Sequence, residues 1–436
     1  MNVKTCRLSK HHPDIISALF FLLVISVSMI PANSEAIPAF ARKYNISCNT
    51  CHAAFPRLNE FGRQFVSDNY RLPNWKDSTV DTGDDMLALP ESVPLALRAQ
   101  AFVQARDAET VDIETGDTIS ADTDFQSPYL IKLLSSAPLS DHISYYFYAI
   151  FAEKGGNGSV IVEDAWFSHD DIFGSGIGIM LGQFQISDLM FPRETRLTFQ
   201  DFMVYRMAGL TYDRGAILNY TAGPLDLSLG LANGGGIEEN STINSPGYKR
   251  PDHLFDNNNG KSVFGRIGSD IAGVNLGLFA YSGTQKNATG VAGTESGSRD
   301  TDKRAYGIDL SGKLGYKTYW FAQLLQNDWD EFINANTSYS WSGGFIGVDY
   351  IHSDHWAYSM LYNYADANDL KNTDTVYEGV DINSLTLAAA YYFMRNVKAV
   401  IEINVDLLHT VDKTGAYWTG HLSSENYALA GFDAAF

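Results

Sequence analysis

The chain has 436 residues, 31 basic and 51 acidic side chains, and a formal charge of −20, so nucleic acid is excluded as a partner by charge. Beyond residue 36 no apolar run is long enough for a membrane-spanning helix, which excludes a helical membrane protein. A composition with 13% aromatics, 37 glycines and 24 tyrosines still admits a membrane β-barrel, whose wall needs apolar residues only at alternate positions.

Residues 1–36 read as an export signal. Lys4, Arg7 and Lys10 form a basic start, Ile15 to Ile30 is apolar apart from serines, and Ser34 and Ala36 are small residues at a cleavage site. The mature chain is then expected to begin at Ile37, with 28 basic against 49 acidic residues and a charge of −21. Cys6 falls in the signal, so the exported chain keeps two cysteines, Cys48 and Cys51, and neither a disulfide framework nor a stray thiol elsewhere.

Those two cysteines lie in the run Cys48-Asn49-Thr50-Cys51-His52. Two thiols at C-x-x-C spacing can each add across a vinyl group of haem, and the histidine that follows is placed to take an axial position of the iron. A zinc site would need two further soft ligands, and none follows at a suitable spacing. A thioredoxin-type disulfide would need a βαβ scaffold, which a segment flanked by Pro38 and Pro73 does not supply. Residues 37–92 are therefore read as a segment holding one covalent haem c, with His52 as proximal ligand. For the sixth position Met86, in the same segment, is the first candidate. Met190, Met203 and Met207, a lumenal histidine, and open coordination are the alternatives. Phe55, Leu58, Phe61 and Phe65 recur at near-helical spacing and predict a helix covering the porphyrin. The segment is too short to bury a haem by itself, so the following barrel is expected to supply the rest of the cover.

A polar boundary, Asp81-Thr82-Gly83-Asp84-Asp85 with Pro90 and Pro94, leads into a strand zone over 93–436. Period-two patterning is clearest near the end. Val397, Ala399, Ile401, Ile403 and Val405 fall on one face, and Lys398, Glu402, Asn404 and Asp406 on the other. The pattern predicts strands at 93–105, 127–136, 143–154, 159–168, 176–184, 208–221, 224–233, 262–270, 273–283, 303–313, 315–327, 340–351, 355–366, 382–394, 396–408 and 424–436. That is sixteen, an even number, as a single-chain outer-membrane barrel with a lipid-facing wall and wet lumen requires. Asp213-Arg214-Gly215, in the sixth, also suits a turn. Connections alternate between long and short, apart from the short one at Gly155–Gly158, and this parity puts both barrel ends and the haem segment on the periplasmic side. The connection 185–207, rich in Phe, Met and Arg, is expected to fold back into the lumen. His352 and His355 flank a tight periplasmic turn and are read as turn residues. The last strand ends on Phe436 with apolar residues at alternate positions behind it, a pattern similar to the outer-membrane assembly signal.

The run Ala36-Ile37-Pro38-Ala39-Phe40-Ala41-Arg42, the haem motif, Pro56, Leu58-Asn59, Gly62, Phe65 and Tyr70 resembles the fused monohaem cytochrome–porins of the bacterial outer membrane. The motif region covers about 35 residues; the barrel resembles the family in architecture, strand number and length. The resemblance implies iron(II) oxidation. Similar haem segments also precede barrels with no assigned substrate, so electron transfer is the broader expectation. The sequence therefore predicts an all-β, 16-stranded outer-membrane barrel with a short, mainly helical haem segment entering from the periplasm. Its expected partners are extracellular Fe(II), a periplasmic c-type cytochrome, and outer-membrane lipid with lipopolysaccharide. The alternatives are an outward, reductive conduit and a diffusion porin whose haem segment is a plug.

Overall fold

The computed structural model describes residues 39–72, 80–84, 87, 89, 91, 94–111, 118–153, 160–234, 260–287, 300–370, 381–407 and 426–436. The first stretch holds α1 (Ala39–Tyr44), α2 (Cys48–Cys51), a hairpin of β1 (His52–Ala54) and β2 (Arg57–Leu58), and α3 (Glu60–Ser67). Sixteen longer strands follow. They are β3 (Leu95–Val111), β4 (Thr118–Pro138), β5 (Ile143–Glu153), β6 (Ile161–His169), β7 (Ile177–Gln185), β8 (Tyr212–Ala222), β9 (Leu225–Ala232) and β10 (Ser262–Ile271). The second half is β11 (Val274–Lys286), β12 (Asp300–Leu314), β13 (Thr318–Asp330), β14 (Ser338–Ile351), β15 (Trp356–Asp366), β16 (Ile382–Met394), β17 (Val397–Asp406) and β18 (Asn426–Ala435).

Each of these strands pairs antiparallel with its chain neighbours, and β18 closes on β3 from Asn426↔Asp107 to Ala435↔Arg98. Closure leaves no sheet edge, so every strand finds its backbone partners within the wall, as lipid demands. The terminal residue is pinned across the seam by Leu97 N–H to Phe436 O (2.6 Å) and Phe436 N–H to Leu97 O (2.8 Å).

All sixteen expected strands are present. The sixth begins at Tyr212, and Asp213-Arg214-Gly215 belongs to it rather than to a turn. Gly215 makes this feasible, since a Cβ there would stand 1.9 Å from Leu231 O on the adjoining strand. The first hairpin is longer than expected, because β4 begins at Thr118 and pairs back to Val111. Turns of a few residues (139–142, 170–176, 223–224, 272–273, 315–317, 352–355, 395–396) all fall at the end of the barrel where β3 starts and β18 stops.

The wall has the lipid-facing exterior that alternation predicts. Leu229, Leu231, Leu278, Leu324, Leu387 and Ile403 are exposed, while Lys398, Glu402 and Asn404 point inward and are buried. Near the short-turn end, Trp356, Tyr391, Phe393 and Phe432 form a linked aromatic band with centroids 5.0–6.2 Å apart. An apolar belt with aromatics at its rim suits the boundary between lipid and water, and it places the chain in the bacterial outer membrane.

The lumen departs from the expected wet interior. The connection after β7 folds inward, as its composition suggested, and carries α4 (Met203–Met207). Phe202 stacks on Phe345 at 4.2 Å, and Met190, Phe191, Met203, Val204 and Tyr205 are buried against inward-facing Phe321, Leu325 and Leu361. These inward strand positions are apolar because they face the inner connection instead of water. Polar groups anchor the loop. The Glu402 carboxylate accepts from Phe199 N–H (2.5 Å), Gln200 N–H (2.8 Å) and Tyr427 O–H (2.7 Å). Asn363 bonds Met203 N–H and Asp201 O, and Tyr205 O–H donates to Gln323.

Candidate functional site

The C-x-x-C run forms α2, and the chain leaves it in extended conformation at His52 (φ −113°, ψ 133°). Asn59 ties this loop down. Its N–H donates to Cys51 O (2.9 Å), its Nδ2 to Asn49 O (3.2 Å) and Thr50 O (3.0 Å), and its Oδ1 accepts from Gly62 N–H (2.9 Å). The last of these caps α3, satisfying a helix N–H that would otherwise lack a partner.

His52 turns back on the hairpin, with Nδ1 3.0 Å from Pro56 O. A carbonyl only accepts, so Nδ1 carries the proton and donates, and the lone pair stays on Nε2. Burial pushes the His52 pKa down to about 4, so the ring is neutral at pH 7. Burial pushes both the Cys48 and Cys51 thiols up, which keeps them protonated. Beside Cys48 and His52 lies a shallow pocket open to solvent, lined also by Phe55, Ser353, Asp354, Tyr392 and Arg395. The site therefore sits at the short-turn mouth of the barrel, between the hairpin and the turns after β14 and β16.

The segment is fastened into that mouth. Arg57 is buried, forms an ion pair with Asp349 of β14, and lies over the rings of Tyr319 and Phe321 at 4.6 and 5.0 Å. Asn69 and Tyr70 both adopt φ 59°, the left-handed region. Asn69 Nδ2 donates to His142 O, while its main-chain O and its Oδ1 accept from Ser144 and Ser168. The Tyr70 ring stacks between Phe40 (5.3 Å) and Tyr146 (5.8 Å).

The residues present fit a covalent haem: two free thiols, a neutral imidazole with Nδ1 held by a carbonyl, and a cavity beside both. Fixing the second ring nitrogen is how proteins orient a metal-ligating histidine. Among the described residues no group of three or more His, Cys, Asp or Glu is placed to hold a metal ion.

Other expected features are placed differently. Phe55, Leu58, Phe61 and Phe65 do not form one helix. Pro56 lacks an N–H and disfavours helix in the residue before it, so Phe55 and Leu58 belong to the hairpin. Phe65 packs on Phe40, Tyr44 and Tyr70, and Phe61 is exposed. Met190, Met203 and Met207 are packed into the lumenal core, and none lines the cavity. Met86 lies outside the described residues. His355 holds its Nδ1 2.7 Å from Tyr392 O, next to the cavity wall, as a turn residue does. The pattern of residues did not reveal Tyr392, Arg395, Ser353 and Asp354 as cavity wall. The usable signal was the parity argument, which brings the turns after β14 and β16 to the same end as the haem segment.

No family model matches the sequence, and no curated protein matches it. Solved structures match the barrel. The outer-membrane channel DcaP of Acinetobacter baumannii aligns with a TM-score of 0.53 at 12% identity, over 79% of this chain and 97% of that one. An anion-selective porin from Comamonas acidovorans gives 0.52 at 12%, over 79% and 99%. The trimer form of OmpT of Vibrio cholerae gives 0.51 at 12%, also over 79% and 99%. Identities this low speak to fold alone, and the fold they share with this chain is that of a porin-like outer-membrane barrel.

Proposed function

We propose that this barrel is an outer-membrane electron-transfer protein that takes electrons from extracellular Fe(II) and passes them to a soluble periplasmic c-type cytochrome. Cys48 and Cys51 would hold one haem through thioether bonds and His52 Nε2 would bind its iron, and that group would supply the one-electron couple. The observation that carries this reading is the His52 ring, neutral and fixed through Nδ1–H to Pro56 O at the edge of a cavity shared with Cys48.

The chain's own residues each have a task in this reading. Asn59 and Gly62 hold the two cysteines at fixed spacing on α2. The β1–β2 hairpin aims the imidazole at the cavity. Tyr392 and the turns at Ser353-Asp354 and Arg395 limit solvent on the far side and leave the mouth open to a periplasmic partner. The apolar belt is roughly 25 Å tall, and the packed aromatic lumen lies between an outside donor and the site at the short-turn mouth. A diffusion porin is the second reading, favoured by the barrel's likeness to porins. The inner connection narrows the passage such a porin would use, because its apolar side chains pack into the lumen. An outward conduit would use the same geometry and differ in potential.

Stopped-flow visible spectroscopy of detergent-purified protein, mixed anaerobically with Fe(II), tests the proposal. Growth of a reduced c-type α-band, lost in His52→Ala, supports it. A band that dithionite produces and Fe(II) does not would overturn Fe(II) as donor and direct attention to the outward conduit.

A further inference from the structure

Behind the hairpin that carries His52, the buried Lys398 and the half-buried Arg98 share one carboxylate. Arg98 donates through Nε and Nη2 to Asp433 at 3.0 and 2.8 Å, and Lys398 Nζ lies 3.5 Å from the same carboxylate. Lys398 and Asp433 are 3% and 2% exposed. Lys398 Nζ also donates to Phe55 O at 3.0 Å, a carbonyl that accepts from Tyr392 O–H at 2.7 Å as well. The Phe55 ring lies 5.7 Å from Lys398 Nζ and 5.5 Å from the His52 ring.

The other charges nearby are arranged differently. Arg57 is matched by Asp349. Glu194, which reaches Arg98 at 3.5 Å, is bonded to Lys132 and Tyr148 on the far side of the guanidinium. The cations next to the Phe55 ring are Lys398 and Arg98, at 5.7 and 5.4 Å, and the two share the single Asp433 carboxylate. A site gaining an electron loses one unit of positive charge, so a fixed cation beside it favours the reduced state. Burial strengthens the effect by lowering the local dielectric.

We propose that Lys398 sets the redox poise of this site: its buried charge, held behind His52 by Phe55 O and Asp433, raises the potential of a haem attached at Cys48 and Cys51. The inference rests on the haem reading above and adds a positioning residue to it. The Phe55 ring lies between Lys398 and His52, so Lys398 acts on the site by its charge. A raised potential is what a high-potential one-electron donor such as Fe(II) requires of its acceptor.

The test is a redox titration of the visible α-band in detergent-purified holoprotein, comparing the wild type with Lys398→Gln, Lys398→Arg and Asp433→Asn. Lys398→Gln should raise the oxidised-to-reduced ratio at fixed ambient potential roughly tenfold, the size expected of one unit charge about 10 Å away at an effective dielectric of about 20. That ratio corresponds to a fall of about 59 mV for a one-electron couple. Lys398→Arg should stay near the wild type, and Asp433→Asn should shift the potential the opposite way. Opposite signs are the discriminating result, because loosening the hairpin would move both variants in one direction. Equal shifts in the two variants, or none, with the c-type spectrum intact, would overturn the role of Lys398 and leave the haem reading standing. A wild-type protein without a covalent c-type band would overturn both.

Discussion

Gly62 lies so close to Cys51 that a Cβ built on it would stand 2.1 Å from the Cys51 carbonyl oxygen and 2.9 Å from its carbonyl carbon. Both contacts are to backbone, so no side-chain rotation relieves them. Gly62→Ala must push α3 away from α2 and disturb the spacing of Cys48, Cys51 and His52. The expected outcome is a fivefold or greater loss of covalently bound haem per barrel, read by haem-stained gel against total protein. The barrel itself should still assemble, as judged by its mobility difference between heated and unheated samples. Wild-type haem content in this variant would show that the close packing of α3 on the motif is dispensable.

Asn69 holds the other end of the segment. Asparagine tolerates the left-handed conformation better than other side chains, and here its side chain also bonds His142 in the turn between β4 and β5 and Ser168 on β6. Asn69→Ala removes both side-chain bonds, at about 1 kcal/mol each, and leaves Ser168 Oγ without this acceptor while His142 O keeps the Asp170 N–H. Hydrogen exchange over 39–72 should rise by one to two orders of magnitude while exchange in β10–β18 stays unchanged. Equal protection in both proteins would mean that Tyr70 stacking alone docks the segment.

The fold was legible because a barrel wall states itself twice, once in alternation and once in the parity of its connections. Ile401, Ile403 and Val405 alternate with Glu402 and Asn404, and the structure puts them on opposite faces. The packed lumen was harder to read. On β13 both faces are apolar in places, with Phe321 and Leu325 inward and Leu324 outward, and such a double-sided strand signals burial on both sides. The inward aromatics needed the inner connection to explain them. At the site, Cys48, Cys51 and His52 are local in sequence and were read directly. The cavity wall and the Lys398 contact join residues more than 300 positions apart, and no local pattern encodes that register.

Glu402 is the latch of the inner connection, with its carboxylate spread over Phe199 N–H, Gln200 N–H and Tyr427 O–H. Each is a hydrogen bond to a charged acceptor, of the kind that contributes about 1.5–3 kcal/mol when buried. Glu402→Gln replaces one acceptor oxygen with a donor and sets two N–H groups against each other. In planar bilayers the wild type should conduct weakly for a sixteen-stranded barrel. The variant should show larger or flickering conductance as the connection lifts from β17. A wild-type conductance equal to an open porin would remove the sealed lumen and favour the diffusion reading.

Arg57 and Asp349 form the deepest link between segment and barrel. Both are buried, Asp349 also accepts from Ser359 Oγ (2.5 Å), and the guanidinium lies against two aromatic rings. Truncating one partner leaves an uncompensated buried charge, which costs about 3–5 kcal/mol. Arg57→Met keeps the apolar stem but removes the guanidinium and strands the Asp349 carboxylate; Asp349→Asn strands the cation. Each single variant should release the segment to protease within 39–72 at concentrations that leave the wild type intact. The double variant, with neither charge, should recover much of the protection, because its loss is smaller than the sum of the two. Strictly additive losses would mean that the two side chains act independently, with docking resting on the aromatic contacts and the Asn69 turn.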